Sequence, residues 1–224
     1  MVEIDGAGKT STQINQEIKS CVANKKGEIR LINPLAKHHL GVGVLEPVKI
    51  TYEGSVGYFC TGLTDGSDVV INGSAGWCLG DNMMSGQVIV NGRGGSNCGP
   101  ALRGGTVVVH GDVGNRLGQV MKAGLIVVEG NASFMAGFLM VGGKIIICGD
   151  TGDLLGHWMI NGEIFVGGNI KGLGSDAKVV DITDEDAKFL DSTLTKYGMP
   201  SLNTFKKVVS KKELHHYKSK KVGV

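Results

Sequence analysis

Apolar side chains return along this chain at a fixed interval of 19 residues, framed each time by glycine. Gly54, Gly73, Gly92, Gly111, Gly130, Gly149 and Gly168 mark the period and bound six consecutive repeats. Other glycines keep fixed offsets from these markers. Three residues on stand Gly57, Gly76, Gly95, Gly114 and Gly152, with Ser133 in the fifth repeat. Seven on stand Gly80, Gly99, Gly118, Gly137 and Gly156; thirteen on stand Gly86, Gly105, Gly124, Gly143 and Gly162. The first repeat is shifted at both places, with Thr61 before Gly62 and with Gly66. Self-similarity at a short fixed period is the mark of a repeat architecture. Glycines at fixed offsets serve turns of positive φ or close approaches of backbone.

Each repeat ends in a short β-branched run: Asp68–Asn72, Gln87–Asn91, Thr106–His110, Leu125–Glu129, Lys144–Cys148 and Glu163–Gly167. Such runs, apolar at the centre and flanked by glycine, predict strands. A 19-residue unit holding a strand and its turns has no room for a crossover helix. One repeat is therefore one coil of a β-solenoid, with equal offsets stacked in parallel at about 4.8 Å per coil. Left-handed hexapeptide helices are built in multiples of about six residues, which 19 is not. The predicted fold is all-β: a right-handed single-stranded parallel β-helix with short α-helical ends. Residues 1–53 form an N-terminal helix/strand cap, 54–168 the six coils, and 169–224 a C-terminal helix and basic tail, within one structural domain.

Stacking converts sequence columns into ladders. Val69, Val88, Val107, Ile126, Ile145 and Ile164 should face inward, as should Ile71, Val90, Val109, Val128, Ile147 and Val166. Thr64, Met83, Leu102, Met121, Met140 and Met159 predict a third inward ladder, in which methionine fills irregular space. Cys60, Leu79, Cys98, Leu117, Ala136 and Leu155 form another apolar column. Between the first two columns lies Val70, Ile89, Val108, Val127, Ile146, Phe165, which strand alternation points outward. Six stacked apolar side chains make a stripe of a few hundred Å² that the chain's own ends or a partner must cover. This column is the candidate interface.

The ends depart from the period. Thr10 and Gln13 predict a capping box opening a helix over Ser11–Ala23, followed by a strand over Glu28–Ile32. Lys49–Glu53 mimics a repeat strand and predicts a degenerate first rung. Beyond Gly168 the period stops. Thr183 predicts a second helix over Asp184–Tyr197, with Asp184, Glu185 and Asp186 placed to favour its dipole. Phe205–Tyr217 reads as a basic, irregular tail.

Composition narrows the chemistry. The 224 residues carry a net charge of +2 and only 5% aromatic side chains, which argues against nucleic acid, a base-stacking surface or a sugar-binding one. Lysines cluster between Lys206 and Lys221, either as a solvated rim or as a contact for an acidic partner. Five cysteines without a C-x-x-C pair favour a reducing compartment. With no signal peptide and no apolar run of 18 residues or more, a cytoplasmic protein without a membrane segment is expected. Gly6-Ala7-Gly8-Lys9-Thr10 looks like the end of a phosphate-binding loop. However, Glu3 stands where the pattern needs glycine, and too little chain precedes it for a buried strand. His110 and Cys148 share a column two rungs apart, about 9–10 Å, too far for a nucleophile and its base. Asp112 and Asp150, with Asn131 between and Arg93 one rung before, form the best carboxylate pair, readable as a hydrolase or lyase site or as solvated turn residues.

The stretch Asn72-Gly73-Ser74-Ala75-Gly76-Trp77-Cys78-Leu79-Gly80 through Gly86, with its later copies, resembles the GXGXG domain. That is the C-terminal β-helix domain of the large subunit of glutamate synthase. Ile4–Asn15 and Lys37–Gly43 resemble the start of its free-standing form. Gly167–Lys178, the helix after Thr183 and Phe205–Val209 resemble the β-helix subunit of N-methylglutamate synthase-like complexes. The resemblance implies a structural subunit beside a glutaminase-like subunit and an FMN-dependent synthase subunit. No catalytic, cofactor-binding or metal-binding residue is implied in this chain, and FMN and Fe–S are expected on those partners. Alternatives are the β-helix subunit of a formylmethanofuran dehydrogenase complex, a free-standing polysaccharide hydrolase or lyase, and a self-associating structural protein (a homo-oligomer when isolated).

Overall fold

The computed structural model describes residues 1–200 and 204–212. The sheet starts outside the repeats, with β1 (Val2–Asp5), β2 (Glu28–Ile32) and β3 (Lys49–Glu53) paired in parallel. It continues through one strand per coil: β4 (Ser67–Ile71), β5 (Gly86–Val90), β6 (Thr106–Val109), β7 (Leu125–Val128), β8 (Lys144–Ile147) and β9 (Glu163–Val166). Register is kept at 19 residues throughout, for instance Val88 opposite Val107 opposite Ile126. A second column of single bridges, from Val56 through Ala75, Gly94, Val113, Ala132 and Thr151 to Ile170, closes about seven turns of a parallel β-solenoid. The winding thus runs one partial turn past Gly168, where the period in sequence ends.

The core is the stack of predicted inward columns. Val69, Ile71 and their counterparts are at most 2% exposed, and Met83, Leu102, Met121, Met140 and Met159 are fully buried. The glycine columns fall into two physical classes. At Gly73, Gly92, Gly111, Gly130, Gly149 and Gly168 an added Cβ would lie 2.5–2.9 Å from the backbone of the preceding coil. At Gly80, Gly99, Gly118, Gly137 and Gly156 the backbone has φ of +63 to +70°, the left-handed region where Cβ is penalised.

Helix α1 (Ser11–Ala23) connects β1 to β2 and buries Ile14 and Ile18 against the solenoid's first turn. Its N-terminus carries the predicted capping box, Thr10 accepting from the Gln13 amide while the Gln13 side chain accepts from the Thr10 amide. Asn15 fastens it to that turn, donating to the His39 carbonyl and accepting from the Gly41 amide. Helix α2 (Asp184–Lys196) has the same device with Thr183 and Asp186. It lies along the solenoid axis. Phe189 packs on Phe165 of β9, and the Tyr197 hydroxyl donates to Gln87 of β5 at 2.9 Å. Thirteen helical residues span about 20 Å, the length of four coil spacings.

Three strands lie outside the sequence reading. β1 precedes the glycine loop, contrary to the expectation that too little chain was available. Of the tail expected to be irregular, Lys206–Ser210 forms β11, inserted antiparallel between β9 and β10 (Ala177–Val180). Val208 extends the Ile164 core column, which gives this basic segment its reason to order. The rest of the predicted tail and of the lysine cluster, from residue 213 on, lies outside the described residues.

Candidate functional site

The outward column was the sharpest candidate in the sequence, and the structure gives it an occupant. Val108, Val127, Ile146 and Phe165 are fully buried beneath α2, in a cluster with Leu190, Leu194 and Met199. Val70 lies beyond the end of α2 and stays half-buried, as does Ile89 at its margin. As a contact for another subunit the column is therefore corrected: it seats the chain's own helix. The physical reason is length, because α2 spans four rungs and the stripe's buried part is four residues long. An ionic chain fixes the helix laterally. Lys207 of β11 donates to both Asp186 oxygens at 2.9 and 3.0 Å and pairs with Glu163, which also accepts from Lys144. Burial pushes the Glu163 and Asp186 carboxyls up, but the lysines and, for Asp186, the Thr183 donors outweigh it, so both sit below their usual range. Asp186, read from sequence only as dipole stabilisation, thus also anchors the helix to the solenoid.

A groove of about 660 Å³ remains between the coil corners and α2, with Gly104, Gly105, Ala123, Gly124 and Gly143 on its floor and Leu125, Lys144 and Phe189 on its walls. Elsewhere surface aromatic side chains gather in two groups: Phe138, His157 and Trp158 toward the C-terminal end, with Trp158 50% exposed, and a larger group at a coil corner near the N-terminal end. His38, Tyr58 and Trp77 stack with ring centroids 4.5 and 5.3 Å apart, and His39 stacks on Phe59 at 5.4 Å. The rings lie flat against the glycine column: an added Cβ at Gly76 or Gly95 would meet Tyr58 or Trp77 at 2.6 or 2.8 Å. Trp77 is 54% exposed and Tyr58 41%, with Phe59, Leu35 and Leu63 also open to solvent. Sequence reasoning missed this ribbon. Its signal was present, because Tyr58 and Trp77 stand 19 residues apart and must share a column.

The polar candidates resolve into ladders. Asp112 accepts from the Asn131 amide at 2.8 Å, Asn131 from the Asp150 amide at 2.7 Å, and Asp150 from the Asn169 amide at 2.6 Å. Each side chain thus caps the backbone of the next coil, and Arg93 sits 3.8 Å from Asp112. The column joins Asp112 and Asp150 through Asn131 and holds them two rungs apart. His110 and Cys148 are likewise separated by Glu129, which meets His110 Nδ1 at 2.8 Å. Burial pushes the Cys148 thiol up to about 11 and Cys98 to about 12. In the glycine loop, Ala7 N–H donates to Asp5, Lys9 N–H to Gly6 O and Thr10 N–H to Gln13, while the Lys9 ammonium pairs with Glu17. These donors are thus engaged by the chain itself, as is the Gly6 N–H, which donates to the Ile32 carbonyl of β2.

Among the described residues this chain's cysteines are not placed to hold an Fe–S cluster. An Fe–S cluster takes four thiolates around one centre. Cys60 and Cys98 face the core two coils apart, Cys78 sits half-buried beside Asn97, Cys148 packs under α2, and Cys21 lies on α1. Among the described residues no group of three or more His, Cys, Asp or Glu side chains is gathered to hold a metal ion. No helix there is long and apolar enough to cross a membrane.

Comparison with known proteins agrees with this architecture. The chain is similar to one chain of the solved formyltransferase/hydrolase complex FhcABCD from Methylorubrum extorquens, captured with methylofuran. The TM-score is 0.66 at 21% identity, covering 89% of this chain and 86% of that one, a likeness of fold. A shorter stretch of 40 residues is 42% identical to Protein GlxC of Rhizobium meliloti (strain 1021), covering 18% of this chain and 18% of that relative. The model of the GXGXG motif family matches residues 4–221, essentially the full repeat array with both ends, and the chain belongs to that family.

Proposed function

We propose that the chain is a non-catalytic assembly subunit of a glutamate synthase-like or N-methylglutamate synthase-like complex. Glutamine amidotransfer, or amine exchange at glutamate, would run on its neighbours: a glutaminase-like subunit and an FMN-dependent synthase subunit that also carries Fe–S. The observation that carries the reading is the shape of the exposed surface. A rigid solenoid, its core filled and its stripe already covered, presents a stacked aromatic ribbon of His38, Tyr58, Phe59 and Trp77. Exposed Trp and Tyr on a stiff support are what protein contacts favour as anchors. Family membership, the 40-residue likeness to Protein GlxC and the resemblance of the repeats to the glutamate synthase β-helix support the choice of complex. The compartment of such an assembly is the cytoplasm.

Affinity purification at native expression level, read by mass spectrometry and the flavin absorbance spectrum, tests the proposal. A glutaminase-like chain and a flavoprotein should co-elute in fixed proportion, and Trp77→Ala with Tyr58→Ala should reduce both. A folded chain that brings down no flavoprotein overturns it. The likeness of fold to a chain of the formyltransferase/hydrolase complex favours a second reading, as a β-helix subunit in formyl-group chemistry. The same purification separates the two, since that reading expects formyltransferase or formylmethanofuran dehydrogenase chains instead.

A further inference from the structure

Both outer edges of the sheet are free among the described residues: β1 at one end and β10 at the other. Their directions match. β10 is antiparallel to β11 and β11 is antiparallel to β9, so β10 points the same way as β1 to β9. A second copy stacked on the first would therefore set its β1 parallel to β10 and continue the sheet without a change of sense. Their faces match as well. On β10, Ala177 and Val179 lie on the core face, because Val179 pairs with buried Val208. On β1, Val2 and Ile4 lie there, opposite Ile29 and Leu31. The core is left open at this end, where Val179 is 47% exposed and Leu173, bridged to core residue Leu155, is 37% exposed.

Charge decides which edges can meet. β1 carries on its outward face Glu3, which pairs with Arg30 of β2 and keeps its strand-edge side open, and Asp5, which accepts from the Ala7 amide and Asn33. β10 carries Lys178, which has no ion-pair partner among the described residues. Placing Val179 opposite Ile4 sets Lys178 opposite Glu3. Pairing β1 with β1, or β10 with β10, would bring like charges together, which disfavours pairing. From these edges we infer that copies of this chain associate head to tail, β10 of one against β1 of the next. This goes beyond the proposed function and does not depend on it. The contact is heterologous, so it propagates unless a rotation closes it. Four-residue edges give a small interface, so the association is weak and concentration-dependent.

Sedimentation velocity of the full chain over a micromolar to near-millimolar series tests it. The mean mass should rise with concentration and fall back with added salt, which screens the Lys178–Glu3 pair. Lys178→Glu alone and Glu3→Lys alone should each lose the higher species, with unchanged circular dichroism as the check on folding. Mixed in equal amounts, the Lys178→Glu and Glu3→Lys chains should regain association, because each exchanged edge meets an edge of opposite charge. A chain that stays monomeric throughout the series overturns the inference, as would occupation of the β10 edge by residues beyond Lys212. Oligomers that survive both substitutions would place the contact elsewhere and overturn it equally.

Discussion

Replacing Leu194 by alanine tests the seating of α2 more directly than any other single change. Leu194 is 1% exposed, held between α2 and a floor of Val108, Val127 and Ile146, all fully buried. That floor is β-branched, tied into the sheet on both sides and backed by the core columns, so it cannot collapse into the space left. Leu→Ala costs range over about 2–5 kcal/mol, with the high end where the surroundings cannot relax. A loss of about 3 kcal/mol is the expectation here. Solenoid stability is largely a sum of local terms, so the loss should appear as easier release of α2 rather than as uniform weakening. Amide hydrogen exchange resolves this. Protection across Asp184–Lys196 should fall roughly a hundredfold, at 1.4 kcal/mol per factor of ten. Protection of β5 and β6 near the middle of the array should change much less. Equal loss of protection in the helix and the strands would refute the argument, as would a loss below about 1 kcal/mol.

Other expectations follow from the same geometry. Gly73→Ala should destabilise by a few kcal/mol in a denaturant titration, because its Cβ would lie 2.5–2.9 Å from the backbone of Gly54 and Ser55. Gly198→Ala, with open space but φ of +66°, should cost only about 1–2 kcal/mol. For the Lys207 chain the sign is set by depressed carboxyls: Glu163 and Asp186 contribute stability above their unfolded pKa and lose it as pH falls through the lower folded values. Acid unfolding followed by circular dichroism should therefore show a contribution, lost on the acid side of the usual carboxylate range, that is smaller in Lys207→Met, where Lys144 and the Thr183 donors still hold the two carboxyls. A thiol reagent applied to the native chain should label Cys21 and Cys78 before Cys60, Cys98 and Cys148, which are buried. Peptide mapping checks the order, and early labelling of Cys98 would contradict the packed core.

The solenoid was legible because its period is written in side chains that cannot be exchanged. Marker glycines meet the backbone of the coil before them, and the Val/Ile columns have one inward direction each. Both helices were legible from their capping residues, Thr10 with Gln13 and Thr183 ahead of Asp186. β1, β10 and β11 were not. They lie outside the period, and β11 holds two lysines beside Val208, a pattern that reads as tail until a sheet edge supplies the partner. The outward column was visible and its cover was narrowed to the chain's own ends or a partner. The sequence did not decide between them, since α2 offers Phe189, Leu190 and Leu194 as a sparse apolar stripe. The aromatic ribbon escaped because a low aromatic fraction, averaged over the chain, hides side chains that one column brings together.

The path of α2 also has a timing consequence. The helix lies back over rungs made long before it, so Val108 leaves the ribosome about 80 residues ahead of Leu190, which will shield it. At about 5–20 residues per second, that leaves a greasy strip bare for roughly 4–16 s in every round of translation. During that interval a nascent-chain chaperone would have its clearest target on the β6–β9 face, and the strip closes to it once the last helix lands.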